Sequence, residues 1–169
     1  TGTTHTFNAM RLFHQHEPAI MGAVLMDDSV FCEAICDFVH LNQDSFKFLL
    51  KMKGFEKVIL VTDSIMATGL GDGDYFLGIN EVTVRKGDAL IKGTQIRAGS
   101  ILTGFKAVLN AAQCCSLSTL ESAMLMAQNP SAFLRMPEIG NLNIGSNADF
   151  VVVRENEIKN VYVAGKRVK

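Results

Sequence analysis

Apolar and polar residues follow two different periods along the chain. Residues 30–36 and residues 58–61 are short, almost continuously apolar runs, typical of strands that are buried on both faces of a parallel sheet. Between these runs, apolar residues recur at helical spacing in a segment that begins at Asn42 or Asp44 and ends at Gly54. Strand, helix and strand in this order predict a parallel α/β unit.

After the parallel unit the period of the apolar residues changes. Apolar residues alternate with polar ones from residue 75 to residue 97, which predicts a hairpin inserted into the parallel scaffold. Two helices are predicted to follow. The second begins at a capping-box pattern of Ser118 and Glu121, and we expect Asn129 and Pro130 to break it.

The last part of the chain predicts an antiparallel pair of strands, residues 148–153 and 158–163. Together these elements predict an α/β fold with two or three βα units, an inserted hairpin and a terminal β pair. A complete (β/α)₈ barrel needs about 250 residues. The chain therefore has too few strands to close a barrel.

Composition and charge exclude several classes of partner. The chain has 169 residues, of which 48% are hydrophobic and 20% are charged, as expected for one globular domain. The net charge is −1 without a basic run, so we expect neither nucleic acid nor a membrane surface as partner. No apolar stretch is long enough to span a bilayer, and the first residues do not resemble a signal peptide. We therefore expect a cytoplasmic protein with reduced cysteines.

Polar residues follow the predicted parallel strands, where α/β proteins usually place their functional groups. His5 and Asn8 follow a short β-prone start, Asp37 and His40 follow the first buried strand, and Asp63 follows the second. Imidazoles and a carboxylate at one edge could hold a metal ion and move protons. The alternative is that the aspartates cap helices and the histidines are ordinary core or surface residues.

A basic cluster lies near the start of the chain. Arg11, His14 and His16 stand beside Glu17. These side chains could contact a phosphate group, or they could be ordinary surface charge.

Seven collinear segments, spread over the whole chain, resemble motifs of N-acetylglucosamine-6-phosphate deacetylases, which are metal-dependent amidohydrolases. The segments are Thr-His-Thr-Phe-Asn-Ala-Met at residues 4–10, His-Gln-His-Glu-Pro at 14–18, Asp-Phe-Val-His at 37–40, Leu-Val-Thr-Asp at 60–63, Ala-Gly-Ser at 98–100, Asn-Pro at 129–130, and Gly-Ser-Asn-Ala-Asp-Phe-Val-Val at 145–152.

The resemblance implies a fold and a division into domains. The family has a distorted (β/α)₈ barrel beside a small β domain, and this chain matches its C-terminal part, from about the sixth barrel strand onward. Residues 1–136 would then form the C-terminal part of the barrel, with a hairpin insertion at about residues 72–98. Residues 137–169 would form strands of the small β domain.

The resemblance also implies an activity: hydrolysis of the acetamide of N-acetylglucosamine 6-phosphate to glucosamine 6-phosphate and acetate. His5 would be the last histidine ligand of a divalent metal ion, zinc or iron. Asp63 would be the general base that takes the proton of the attacking water and returns it to the leaving amine. His40 would hold the sugar and polarise its acetyl carbonyl.

Further residues are implied to contact the substrate. Asn8 and Ala9 would lie on the phosphate side, and Arg97, Ala98 and Gly99 would form a loop that lines the site. Phe38 replaces a family glycine. His16 stands where the family commonly has an arginine that reaches a phosphate across the dimer, so we expect a homodimer or larger assembly.

The family's acidic ligand and first histidine ligand lie in the part that this chain does not match. We therefore expect metal binding to be weak or absent in this chain alone, and the isolated chain to be inactive. Two alternatives stay open. One is an amidohydrolase that acts on a different amide substrate, and the other is a non-catalytic sugar-phosphate-binding or assembly fragment.

Overall fold

A computed structural model describes all residues 1–169. A parallel sheet of order β1-β2-β3 is formed by Gly2–Thr3, Phe31–Ala34 and Val58–Leu60. Helix α1 (Ala19–Met26) connects the first two strands and helix α2 (Gln43–Lys53) connects the second and third. The predicted parallel strand–helix–strand unit is confirmed.

The ends of α2 follow from local sequence signals. Of the two predicted starting residues, Asn42 is the N-cap, and its side chain accepts a hydrogen bond of 2.8 Å from the backbone N–H of Asp44. Gly54 ends the helix with a φ of +74°, a conformation that glycine adopts without a steric penalty. Phe46 and Leu49 of this helix are fully buried in the main core.

Helix α1 was not predicted, because its residues are apolar on every side and give no amphipathic period. Met21, Val24 and Leu25 of α1 are buried. The buried Lys53 of α2 caps the C-terminus of α1. Its Nζ donates hydrogen bonds to the backbone carbonyls of Val24, at 2.9 Å, and of Asp27.

The predicted hairpin is a three-stranded antiparallel sheet. Its strands are β4 (Gly73–Leu77), β5 (Asn80–Arg85) and β6 (Asp88–Ile91), in the order β4-β5-β6. A second tight turn at Lys86 and Gly87, both with positive φ, returns the chain for the third strand. This sheet has its own small core, formed by Ala67, Val82, Val84, Ala89 and Ala98.

Helices α3 (Gly104–Cys115), α4 (Thr119–Met126) and α5 (Gln128–Leu134) follow. The capping box of Ser118 and Glu121 at the start of α4 is confirmed. The predicted helix does break, but the prediction that it breaks at Asn129 and Pro130 is wrong. The break is at Ala127, and Pro130 lies in the first turn of α5, where a missing N–H costs no helical hydrogen bond.

The predicted terminal pair also has a third strand. Strands β7 (Phe150–Arg154), β8 (Glu157–Val163) and β9 (Lys166–Arg167) form an antiparallel sheet. Strand β9 was missed because two charged residues carry no apolar pattern.

The main core contains 18 buried residues between the parallel sheet and helices α1 to α4. Cys32, Ala34, Val58 and Leu60 face this core, so the alternate strand residues, such as Glu33, face the opposite side of the sheet. None of the helices combines the length and the apolar composition that crossing a bilayer requires.

Candidate active site

The three strands of the parallel sheet deliver polar residues to one edge. His5 follows β1, Asp37 and His40 follow β2, and Asp63 follows β3. Because the strands are parallel and in register, their carboxyl ends share one edge of the sheet. The chain turns sharply there, since His5, Phe38 and Asp63 have φ of 34°, 65° and 48°. The edge predicted from the sequence is thus present.

His5 is oriented by its own loop. Its Nδ1 lies 3.1 Å from the backbone oxygen of Asn8, and the following Thr6 N–H donates a hydrogen bond of 2.7 Å to the Glu33 carbonyl on β2. A backbone carbonyl can only accept a hydrogen bond, so Nδ1 carries the proton and donates it in this contact, and the lone pair lies on Nε2. Metal-ligating histidines are usually held in this way. His5 therefore suits a ligand role.

The donor set for a metal ion is nevertheless small. No group of three or more His, Cys, Asp or Glu side chains in the structure is arranged to hold a metal ion. Metal sites in proteins usually have at least three protein ligands. The residues of this chain fit a contribution of one ligand, His5, and do not form a complete site.

Asp37 and His40 form a buried hydrogen-bonded pair. Asp37 Oδ2 lies 2.7 Å from His40 Nδ1, and the two side chains are only 9% and 7% exposed. The other carboxylate oxygen accepts backbone N–H groups of Val39 (2.9 Å) and His40 (2.8 Å). Burial acts to raise the pKa of Asp37, but the hydrogen bonds from His40 and Val39 outweigh it and lower this pKa below its usual value.

A buried asparagine fixes the backbone just before the hydrogen-bonded pair of Asp37 and His40. Asn110 Nδ2, on α3, donates a hydrogen bond of 2.7 Å to the carbonyl of Cys36. Asn110 is 4% exposed, and this bond joins residues that are far apart in the sequence. Sequence reasoning missed it, because a single asparagine on an amphipathic helix is usually a surface residue.

Asp63 is held through its backbone, while its carboxylate stays exposed. Ser100 N–H donates a 2.7 Å hydrogen bond to the Asp63 carbonyl, and Ser100 Oγ donates to the Thr62 carbonyl. Ile65 N–H donates back to the Ser100 carbonyl at 2.9 Å. Ser64 and Ser100 therefore form an isolated parallel β-bridge just beyond the end of β3.

Asp63 lies on the wall of a cavity of about 430 Å³. Glu33 from β2 also lines this cavity, together with Phe133 and Leu134 of α5. Glu33 was not among the predicted site residues. The signal was available, since it is the one charged residue in the apolar run 30–36.

The predicted loop of Arg97, Ala98 and Gly99 is only partly at this edge. Arg97 forms a two-point ion pair of 3.2 Å with Asp88 on β6, and Ala98 is buried in the small core. Gly99 lies directly against the Asp63 backbone.

Gly99 provides a direct test of this packing. A Cβ at Gly99 would lie 2.8 Å from the Asp63 carbonyl oxygen, at a φ of +82°. Gly87 has a φ of +89° and open space around its Cβ position. Each Gly→Ala change carries a backbone penalty of about 1 kcal/mol. We expect Gly99→Ala to cost more than Gly87→Ala in urea unfolding, because only Gly99→Ala adds a clash. Equal losses would contradict close packing at Asp63.

The loop after β1 carries the remaining predicted contacts. Asn8 Nδ2 lies 3.4 Å from the Thr6 carbonyl, and Ala9 is exposed with a φ of 53°. His16 is exposed, with its ring 5.4 Å from that of His14. Arg11 makes two hydrogen bonds of 2.7 Å to Glu17, so its charge is already paired.

The chain is similar in sequence and in fold to deacetylases of phosphorylated N-acetyl sugars. No protein-family model matches the chain. The chain is 32% identical over 166 residues to N-acetylglucosamine-6-phosphate deacetylase of Lysinibacillus sphaericus, which covers 98% of this chain and 43% of the relative. It is 34% identical to the Homo sapiens enzyme of the same name, over 99% of this chain and 42% of the relative.

Solved structures agree with these relatives. N-acetylglucosamine-6-phosphate deacetylase of Thermotoga maritima superimposes with a TM-score of 0.94 at 34% identity, over 99% of this chain and 46% of that one. A mutant of the Mycobacterium smegmatis enzyme, solved in complex with N-acetyl-D-glucosamine-6-phosphate, gives 0.92 at 33% identity, over 99% and 45%.

The chain spans about 43% of the length of the curated relatives it matches. Over this span it is homologous to the C-terminal portion of N-acetylglucosamine-6-phosphate deacetylases.

Proposed function

We propose that this chain supplies the C-terminal part of an enzyme that hydrolyses the acetamide of N-acetylglucosamine 6-phosphate to glucosamine 6-phosphate and acetate. The observation that supports this most strongly is the edge formed by His5, the Asp37–His40 pair and Asp63, within a fold that matches solved deacetylases. Strands β1 to β3 would belong to a (β/α)₈ barrel, with β4 to β6 as its insertion. Residues 137–169 would belong to a small β domain.

The residues of this chain would divide the reaction between them. A divalent metal ion, zinc or iron, held in part by His5 Nε2, would make the attacking water acidic enough to lose its proton near neutral pH. The exposed carboxylate of Asp63 takes that proton and returns it to the nitrogen of the departing amine. The Nδ1 of His40 is held by Asp37, and its other ring nitrogen would polarise the acetyl carbonyl.

Substrate recognition would use the surrounding loops. Asn8 and Ala9 would contact the phosphate side of the sugar phosphate, and the loop of residues 97–99 would line the site. His16 would approach the phosphate from a neighbouring subunit. An imidazole lacks the two-point geometry of an arginine guanidinium, so we expect weaker phosphate binding than an arginine would give.

A second candidate is deacetylation of a different amino-sugar phosphate. One relative, 29% identical over 98% of this chain, is named N-acetylgalactosamine-6-phosphate deacetylase, from a Shewanella strain. Phe38 lies in the loop that carries Asp37 and His40, so its ring could change which sugar the site accepts.

The function is tested in a chimera that joins the N-terminal part of the Thermotoga maritima relative to residues 1–169. Acetate release is measured with the 6-phosphates of N-acetylglucosamine and N-acetylgalactosamine. A higher kcat/KM for the glucosamine derivative supports the proposal, and a higher value for the galactosamine derivative supports the second candidate. A folded chimera that releases acetate from neither substrate would contradict both.

Metal content gives a prediction on residues 1–169 alone. Because His5 is the one ligand they offer, we expect far less than one metal ion per chain after dialysis against a mild chelator. Elemental analysis of the dialysed protein checks this. Stoichiometric zinc or iron would show that further ligands exist within these residues.

We also propose that the chain assembles through residues 11–18. Leu12 and Phe13 in this segment are 83% and 59% exposed, which is costly for large apolar side chains in water. Light scattering at micromolar concentration should show a dimer or larger species. Leu12→Ser combined with Phe13→Ser should shift the protein to smaller species, and an unchanged mass would exclude this segment from the contact.

A further inference from the structure

Two adjacent cysteines end helix α3. The sulfur atoms of Cys114 and Cys115 lie 3.4 Å apart, and both residues are half-buried free thiols. Ser116 follows them in a left-handed conformation that terminates the helix. The proposed deacetylation uses neither thiol.

The thiols open into a surface cavity of about 470 Å³. Its other walls are Leu50, Ser116 and two lysines, Lys47 and Lys51. The cavity wall contains no imidazole or carboxylate that could complete a site for a divalent cation. Lys51 repels such a cation, whereas the charge of Lys47 is paired with Asp44 at 3.1 Å. A ligand suited to this cavity is therefore an uncharged group that bonds to sulfur.

The environment of the Cys115 thiol also favours a neutral ligand. Burial, together with the hydrogen bond from Cys114, raises the pKa of Cys115 to about 12, although Lys47 acts to lower it. Cations bind thiolates and must displace the thiol protons, and oxidants attack the thiolate. A reagent that condenses with two neutral thiols needs no net deprotonation.

We propose that Cys114 and Cys115 form a two-thiol binding site for organic compounds of trivalent arsenic, R–As=O. In the reaction both S–H bonds break and two As–S bonds form, while the arsenic oxygen leaves with both protons as water. No electrons are transferred, so no oxidant or reductant is needed. The product is uncharged, which suits a cavity with two lysines.

The distance between the sulfur atoms suits a chelate. A central atom bonded to both sulfur atoms at about 2.3 Å, the length of a zinc–thiolate bond, holds them about 3.3 Å apart at a bond angle of about 90° and about 3.8 Å apart at a tetrahedral angle. The 3.4 Å separation here falls in this range. Both thiols can therefore bond to one central atom after a small side-chain rotation.

The test uses phenylarsine oxide and intact-mass spectrometry of the native chain. We expect one adduct per chain, with the mass of the reagent less one water. The adduct should survive excess glutathione, a monothiol, and be removed by 2,3-dimercaptopropanol, because only a dithiol can replace two As–S bonds at once.

Single variants assign the two thiols. Cys114→Ser and Cys115→Ser should each lose the glutathione-resistant adduct. Cys32→Ala is the matched control, since Cys32 is fully buried in β2, and it should retain the adduct. Far-ultraviolet circular dichroism confirms that each variant is folded before its result is used.

Cys36 requires its own variant because its thiol interacts with that of Cys114. Retention of the adduct in Cys36→Ala supports the assignment to Cys114 and Cys115. Its loss in the folded Cys36→Ala protein, or its survival in either serine variant, would overturn the assignment. An adduct that glutathione removes from the native chain would show attachment to one thiol and would also overturn it.

Discussion

Replacing Asp63 by asparagine in the proposed enzyme should lower kcat by about 10²–10⁴-fold, the range for loss of a general acid–base group. The amide keeps the size of the carboxylate and cannot take up the proton of the attacking water. KM should change little, because the lost interaction belongs to the transition state. The measurement is acetate release by the chimera that contains residues 1–169.

Folding should be unaffected by this change, so a loss of kcat would report a loss of catalysis and not of structure. The Asp63 side chain is exposed, and the hydrogen bonds at this position involve its backbone carbonyl. A surface substitution of this kind usually changes the unfolding free energy by less than about 0.5 kcal/mol. Asp28→Asn, at another exposed aspartate, is the control and should retain full kcat. Near-normal turnover by Asp63→Asn would show that another residue is the base.

Local sequence signals predicted the elements whose ends depend on neighbouring residues. Asn42 and Gly54 mark the ends of α2, and Ser118 with Glu121 marks the start of α4. In each case the side chain or backbone that satisfies the helix end lies within four residues. Such information is present in a short window of sequence.

Elements defined by packing with distant residues could not be predicted in this way. Helix α1 has no polar face, so it has no period to detect. Asn129, at the start of α5, donates hydrogen bonds to the carbonyls of Phe55 (2.8 Å) and Val58 (2.7 Å), more than 70 residues earlier. Nothing near residue 129 in the sequence indicates these partners.

The residues of the candidate site could be predicted from local sequence, but their long-range contacts could not. The strand-end rule selected His5, Asp37, His40 and Asp63, and the structure places all four after parallel strands. The supports of these residues were not predictable. Ser100 and Asp63 are separated in the sequence by an entire three-stranded sheet, and only the folded chain brings them together.

Removal of the Asp37 carboxylate should produce a large loss of stability. Asp37→Ala should lower the unfolding free energy by about 3 kcal/mol, because each buried donor left without an acceptor costs about 1–3 kcal/mol. His40 would be left buried without its acceptor, and the N–H groups of Val39 and His40 would lose theirs. Asp37→Asn should cost less, because its amide oxygen can still accept hydrogen bonds. Urea unfolding at pH 7 compares the variants, and a loss below about 1 kcal/mol for Asp37→Ala would contradict the buried pair.

The pH dependence of stability tests the same pair independently. The pKa of Asp37 in the folded chain lies below its ordinary value of 3.8, so folding is favoured while the carboxylate is ionised. This contribution is fully present above pH 3.8 and is lost as the pH falls through the lower, folded-state pKa. Asp37→Asn has no proton to bind at this position. The unfolding free energy of the native chain should therefore fall more steeply than that of Asp37→Asn below pH 3.8, and the two curves should run parallel above about pH 5. Parallel curves at every pH would show that Asp37 is not stabilised as the carboxylate, because only a group that binds protons differently in the folded and unfolded chain contributes to the slope.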